Sequence, residues 1–219
     1  MKTSLLFVCG FALMGILLVS PASASMCDGA DNVYCNGAGI NGQVNAWSIN
    51  FGSLVSNSFT VGSGPIGGVD FGVWLLPGDA VTSIDWYLGT SAFGSDVASG
   101  AGAAVGLGPV DECGGFSCDF GANQYGYDIQ SLEFSFGRGI NLAGGTYWIT
   151  LLNAVSATSN PVYWDENGGS SLAFQSGIGS VPSEAFAIDT VPEPGTLALL
   201  GGSGLLFLAG ALRRKLLNR

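Results

Sequence analysis

Basic residues are nearly absent from this chain. Its 219 residues include no histidine and six lysines and arginines, against 16 aspartates and glutamates. Every acidic residue except Glu193 lies in residues 25–190. This segment therefore has 15 carboxylates against the single cation Arg138, and its net charge is about −14. Nucleic-acid binding needs a basic surface and is excluded. Without histidine, neither a Ser-His-Asp nor a Cys-His catalytic arrangement is available.

Helical periodicity is also missing between residues 25 and 190. Apolar and polar residues alternate instead, in short runs bounded by Gly, Ser, Asn and Pro. The clearest runs are 69–76, 81–88, 132–136 and 146–152, and further candidates are 44–51, 54–61, 97–107, 162–164, 171–174 and 184–189. Roughly ten short strands predict an all-β domain over residues 25–189, a jelly-roll-like antiparallel β-sandwich.

The N-terminus has the layout of a secretory signal. Lys2 precedes an apolar stretch from Leu5 to Val19, and Ala22-Ser23-Ala24 supplies an Ala-x-Ala cleavage site. We therefore expect residues 1–24 to be a signal peptide that is removed on export.

The C-terminus contains one long apolar run. Residues 196–212 carry no charge, and Arg213, Arg214 and Lys215 follow at once. A helix of this length reaches roughly 26 Å, close to the hydrocarbon thickness of about 30 Å. The basic cluster places the C-terminus in the cytoplasm and the domain outside. We expect a single transmembrane helix; an ordinary anchor with a proline-containing stalk is the alternative reading of this end.

The whole C-terminal segment resembles the PEP-CTERM sorting signal of Gram-negative bacteria. The resemblance rests on Val191, Pro192, Glu193 and Pro194, then the apolar run and the basic cluster at 213–215. It implies that residues 190–219 are a sorting segment read by exosortase, a membrane-embedded transpeptidase. It further implies export, a transient stay in the inner membrane, cleavage near Pro192–Pro194 and delivery to the envelope or exterior. Exosortase and the export machinery are the implied partners.

Parts of the domain show a looser resemblance. Segments 141–151, 161–167 and 182–188 look like segments of uncharacterised β-sandwich proteins that carry the same tail. This resemblance implies a shared fold and brings no known activity.

Four cysteines remain after signal removal: Cys27, Cys35, Cys113 and Cys118. An even number in an exported chain predicts two disulfides, with three connectivities possible. Proximity along the chain favours Cys27–Cys35 and Cys113–Cys118. Zinc binding is the alternative, and the absence of histidine and the poor spacing disfavour it.

Calcium is the one cofactor with candidate ligands. Asp165, Glu166 and Asn167 lie together between a predicted strand and two glycines, and hard oxygen ligands of this kind suit Ca²⁺. A polar turn explains the same residues. Asp111, Glu112 and Asp119, beside the second cysteine pair, are a further candidate. No other cofactor is expected.

Three adjacent aromatic pairs lie on predicted strands: Trp86-Tyr87, Tyr147-Trp148 and Tyr163-Trp164. Neighbouring strand residues face opposite ways, so each pair should send one ring to the core and one outward. We name Trp148 and Trp164 as candidate rings for stacking on a sugar, with extracellular polysaccharide as the partner. The alternative is that both rings of each pair are buried.

Two hypotheses of function remain. The first is a structural or adhesive protein of the envelope or extracellular matrix, for example in a biofilm. The second is a carbohydrate-binding module. Paired carboxylates can hydrolyse glycosides, but Asp and Glu are scattered widely along this chain, and we expect no enzyme.

Overall fold

A computed structural model describes residues 27, 32–36, 45–109 and 125–191 of the chain. All regular structure in these ranges is β-strand, and no helix in them is long and apolar enough to cross a membrane. The signal peptide, Cys113, Cys118, the acidic residues 111, 112 and 119, and residues 192–219 of the sorting segment lie outside the described residues. The predicted transmembrane helix is among them.

Thirteen strands form in the described ranges. They are β1 (Asn32–Cys35), β2 (Ala46–Ser48), β3 (Leu54–Val61), β4 (Gly64–Leu75), β5 (Val81–Gly89), β6 (Ala98–Gly102), β7 (Val105–Pro109), β8 (Asp128–Leu142), β9 (Gly145–Ser156), β10 (Tyr163–Asp165), β11 (Ala173–Gln175), β12 (Gly179–Val181) and β13 (Phe186–Thr190).

The strands build two antiparallel sheets. Sheet A runs β1-β13-β4-β10-β2, with β8 on the other side of β4 and β7 beyond it. Sheet B has the order β12-β11-β3-β9-β5-β6. The prediction of an all-β, sandwich-like domain is confirmed. The jelly-roll connectivity of the strands stays a prediction.

The core lies between the two sheets and follows the predicted alternation. Val69, Phe71, Val73 and Leu75 of β4 are all fully buried, as their shared parity requires. Aromatic rings join the sheets, such as Phe59 of sheet B with Phe186 of sheet A at 6.4 Å between centroids. Full burial of an apolar side chain of this size stabilises the folded state by roughly 1.5–3 kcal/mol.

A disulfide fixes the first strand. Cys27 and Cys35 are bonded, with their Cα atoms 5.5 Å apart, which confirms the pairing predicted from proximity. The bond joins Cys27 to the last residue of β1, which pairs with β13 at the edge of sheet A.

The pairing of β4 with β8 in sheet A has one irregularity. Ile66 pairs with Ile140, and Gly68 pairs with Ser135, so residues 136–139 of β8 lie opposite Gly67 alone. This is a large, irregular β-bulge, and its second residue, Gly137, has a positive φ of 76° that suits glycine.

Candidate functional site

The outer face of sheet A carries an open pocket rich in aromatic side chains. Its volume is about 340 Å³. The lining residues are Asn45, Ala46, Trp74, Tyr125, Tyr127 and Tyr163. We call it the aromatic pocket.

The strand register places these rings together. On β4 the buried residues Val73 and Leu75 face the core, so Trp74 between them faces outward. Tyr163 of β10 is the register partner of Trp74, and its side chain therefore stands on the same outer face. Tyr127 lies just before β8, whose Ile129 is the partner of Trp74 on its other side.

The rings contact one another in a compact cluster. Trp74 and Tyr125 are stacked, with centroids 5.6 Å apart and planes at 25°. Tyr127 lies 5.9 Å from Trp74 and meets Tyr163 edge to face at 5.6 Å. Tyr125 is 57% exposed, so one face of the cluster is open to solvent. The pocket therefore offers a stacking surface, and three of its lining side chains carry phenol hydroxyls.

A buried carboxylate fixes the floor of the pocket. The Trp74 indole Nε1–H donates to Asp165 Oδ1 at 2.6 Å, and Asp165 is fully buried. Burial raises the pKa of the Tyr163 phenol, which also lines the pocket, and Tyr127 raises it further through its charge and a hydrogen bond. Such contacts hold the rings before any ligand arrives.

The three predicted calcium ligands are buried and act as acceptors. Besides Asp165, Glu166 Oε2 accepts from the Trp47 indole at 3.2 Å. Asn167 Oδ1 accepts from the Ser183 hydroxyl at 3.0 Å and from the Gly169 amide at 2.9 Å. Within the described ranges, no three His, Cys, Asp or Glu side chains are arranged to hold a metal ion. The calcium hypothesis gains no geometric support from these residues.

Glu184 lies beside this network, and the sequence reasoning missed it. Its side chain is fully buried, and neither carboxyl oxygen has a hydrogen-bond partner among the residues that the structure describes. Burial, and then the charges of Asp165 and Glu166, raise the pKa of Glu184 well above its usual range. The sequence did contain a signal for this burial. Glu184 is separated by two and four residues from the core residues Phe186 and Ile188, so an extended chain points it to the same face.

The aromatic pairs split between the two faces as predicted, with one error of assignment. Trp148 does lie on the outer face of sheet B, where it contacts Phe174 at 5.6 Å and is partly buried. Trp164, named as an outward ring, is fully buried in the core and donates its indole N–H to the Ala185 carbonyl at 2.9 Å. The register of β10 on β4 sets Trp164 opposite the core residue Val73 and Tyr163 opposite the outward Trp74, so Tyr163 is the outward ring of that pair.

A second carboxyl cluster lies elsewhere on sheet A. Asp70 of β4 faces Glu133 of β8 and is close to Asp189 of β13. Burial raises the pKa of Asp70 to about 7, aided by the charges of Asp189 and Glu133 and by a hydrogen bond with the Asp189 carboxyl. Asp189 also accepts from the Asn32 amide at 3.0 Å, which ties β1 to β13.

Comparison with known proteins identifies the C-terminal segment. A family profile described as the PEP-CTERM protein-sorting motif matches residues 190–215. The predicted sorting segment is thereby confirmed, and the motif implies export, exosortase-dependent processing and delivery to the envelope or exterior. A search of curated proteins finds no match.

Proposed function

We propose that the exported domain is an adhesive, non-enzymatic module of the envelope or extracellular matrix that binds neutral polysaccharide in the aromatic pocket. The observation that carries this proposal is the cluster of four aromatic rings around an open 340 Å³ pocket. The PEP-CTERM motif supports delivery to the envelope or exterior, where extracellular polysaccharide is found. This destination is consistent with a pocket that binds sugars.

The chemistry of the pocket suits a sugar ring. Sugars present apolar C–H faces and hydroxyl edges, which match the faces of Trp74 and Tyr125 and the polar groups of Tyr163 and Asn45. The volume is near the lower end of ligand pockets, so roughly one or two sugar units fit. A longer chain would extend past the exposed Tyr125 ring.

Charge selects among polysaccharides. The domain carries about −14 net charge and a single cation, so acidic polymers are repelled at low salt. Neutral glycans avoid this repulsion. We also infer a jelly-roll-like course of the chain, which the repeated passage of successive strands between the sheets supports.

The test is binding of immobilised neutral and acidic glycans by the purified protein and by Tyr125→Ala. Because Tyr125 stacks on Trp74 and is largely exposed, its loss should leave the fold intact and weaken neutral-glycan binding about tenfold, or about 1.4 kcal/mol. Leu172→Ala is the control, since Leu172 is 63% exposed and precedes β11 of the other sheet.

Three results would contradict the proposal. Equal affinity of wild type and Tyr125→Ala would show that the aromatic pocket is not the site. Loss of binding in Trp148→Ala alone would move the site to sheet B. If no glycan binds at all, the purely structural hypothesis is favoured.

A further inference from the structure

Four adjacent strands of sheet B carry no charge. The sheet has the order β12-β11-β3-β9-β5-β6, and its first four strands lie within three uncharged stretches of the chain, 45–69, 139–164 and 167–183. All 15 carboxylates of residues 25–190 therefore lie outside these strands. Asp85, on β5, marks the border of the uncharged part of the sheet.

The outward side chains of these strands combine hydroxyls with aromatic rings. Thr60 of β3 and Thr146 of β9 are register partners, both are exposed, and their hydroxyl oxygens are 2.9 Å apart. Trp148 of β9 stands on the same side, because its neighbour Ile149 is in the core. Phe174 of β11 contacts Trp148 at 5.6 Å between centroids, and both rings are partly exposed. We call the surface formed by Thr60, Thr146, Trp148 and Phe174 the uncharged face.

Two more apolar side chains are exposed where β3 begins. Phe51 is 71% exposed and Ile178 is 62% exposed. They lie on neighbouring turns, since the Ser176 amide donates to the Leu54 carbonyl at 2.9 Å. Phe51 has a φ of 52°, a backbone conformation that a bulky residue rarely adopts. Neither core packing nor turn geometry explains a phenylalanine at this position, whereas contact with a partner does.

The charge distribution favours a second copy of the chain as that partner. Residues 25–190 carry about −14 net charge, so two copies repel each other wherever their carboxylates come close. The uncharged face is where they can approach with the least repulsion. It also has no cation that would attract an acidic polymer or an anionic lipid.

We propose that the uncharged face is a self-association surface, at which sheet B of one copy packs on sheet B of another in a two-fold dimer. The same surface then serves both copies, and the Trp148 and Phe174 rings of each pack against the uncharged face of the other. The aromatic pocket lies on sheet A and stays open in both copies, so the dimer presents two pockets. The dimer does not depend on glycan binding.

The size of the uncharged region predicts a weak, reversible dimer. Four strands spaced about 4.8 Å apart, with the 8 residues of β3 rising about 3.3 Å each, cover roughly 500 Å² per copy. Two copies then bury about 1,000 Å², near the lower limit for a specific interface, and we expect a Kd on the order of 100 µM.

The test is sedimentation equilibrium of the full-length protein in density-matched detergent micelles, at concentrations on both sides of the expected Kd. Dimerisation should strengthen about threefold when NaCl rises from about 0.05 M to about 0.5 M, because salt screens the repulsion between two acidic copies. Thr60→Asp places a like charge in each copy's interface, and Phe174→Ala removes a ring. Each should weaken dimerisation at least about tenfold. Asn141→Asp is the matched control, since it adds the same charge at an exposed position of β8 in sheet A and should change the Kd less than about twofold.

The other outcomes are equally distinct. Tyr125→Ala should dimerise like the wild type, which separates this proposal from glycan binding in the aromatic pocket. A protein that stays monomeric at the highest concentration and salt would overturn the proposal, and so would a dimer that Thr60→Asp leaves unchanged. Dimerisation weakened by salt would indicate ion pairs and contradict it as well. A monomer that binds phosphatidylcholine vesicles, and loses them in Thr60→Asp, would make a lipid surface the occupant instead.

Discussion

The carboxyl cluster around Asp70 makes a defined prediction about stability and pH. In the folded protein Asp70 is partly buried, hydrogen-bonded to the Asp189 carboxyl and close to Glu133. Its pKa is raised from 3.8 to about 7, first by burial and then by these two neighbours. Asp70→Asn keeps the size of the side chain and a donor toward Asp189, and it cannot titrate.

The sign follows from proton uptake. Above pH 3.8 the unfolded chain releases the Asp70 proton, whereas the folded protein keeps it up to about pH 7. The stability that this proton contributes is therefore complete below about pH 4 and lost as the pH rises to about 7. A shift of about three units corresponds to at most ~4 kcal/mol. Asp70 is only partly buried, and solvent screening lowers this to about 1–2 kcal/mol.

The assay is urea unfolding of wild type and Asp70→Asn from pH 4 to pH 8. The free energy of unfolding of the variant, relative to wild type, should rise by about 1–2 kcal/mol across this range. Thermal midpoints should diverge by about 2–8 °C. Glu133→Gln is the control, because the charge of Glu133 contributes less than burial and Asp189 to the raised pKa of Asp70. Parallel pH profiles for wild type and Asp70→Asn would refute the reasoning, because they would show that Asp70 titrates alike in both states.

Two further perturbations test the structure. Glu184→Gln removes a buried carboxyl whose pKa is raised well above its usual range, first by burial. The midpoint pH of alkaline unfolding, followed by circular dichroism, should therefore be higher in the variant than in the wild type. An unchanged midpoint would show that Glu184 is not buried. Cys35→Ser opens the loop closed by the disulfide with Cys27, a separation of 8 residues, and should lower the free energy of unfolding by about 2.5 kcal/mol. Cys27→Ser should cost the same, and a large difference between the two variants would argue against this pairing.

Local patterns in the sequence were sufficient for the fold class. The alternation of Val69, Phe71, Val73 and Leu75 predicts both a strand and its buried face, because the period of two is a property of the backbone. The same alternation marks Trp74 as outward, although the sequence reasoning did not use it. Cys27 and Cys35 paired as their proximity predicts.

The rings of the aromatic pocket are brought together by strand pairing between distant parts of the chain. Tyr125 and Tyr127 meet Trp74 only because β8 pairs with β4, and no local pattern shows that register. Trp164 was assigned to the wrong face although it shares its parity with the apolar Val162, and Tyr163 shares its parity with the polar Asp165, a signal that the sequence reasoning did not use. In the structure, Trp164 lies opposite the core residue Val73, and Tyr163 lies opposite the outward Trp74.

The most direct test of the proposed function is NMR of the Trp74 indole during titration with neutral oligosaccharides. Its Nε1–H donates to Asp165 at the floor of the aromatic pocket, so its signal reports on anything that stacks there. We predict that the Trp74 signal shifts with saturation, while the Trp148 signal on the other sheet stays in place. A Trp74 signal unmoved by a glycan that the protein binds, or a shift at Trp148 alone, would contradict the account.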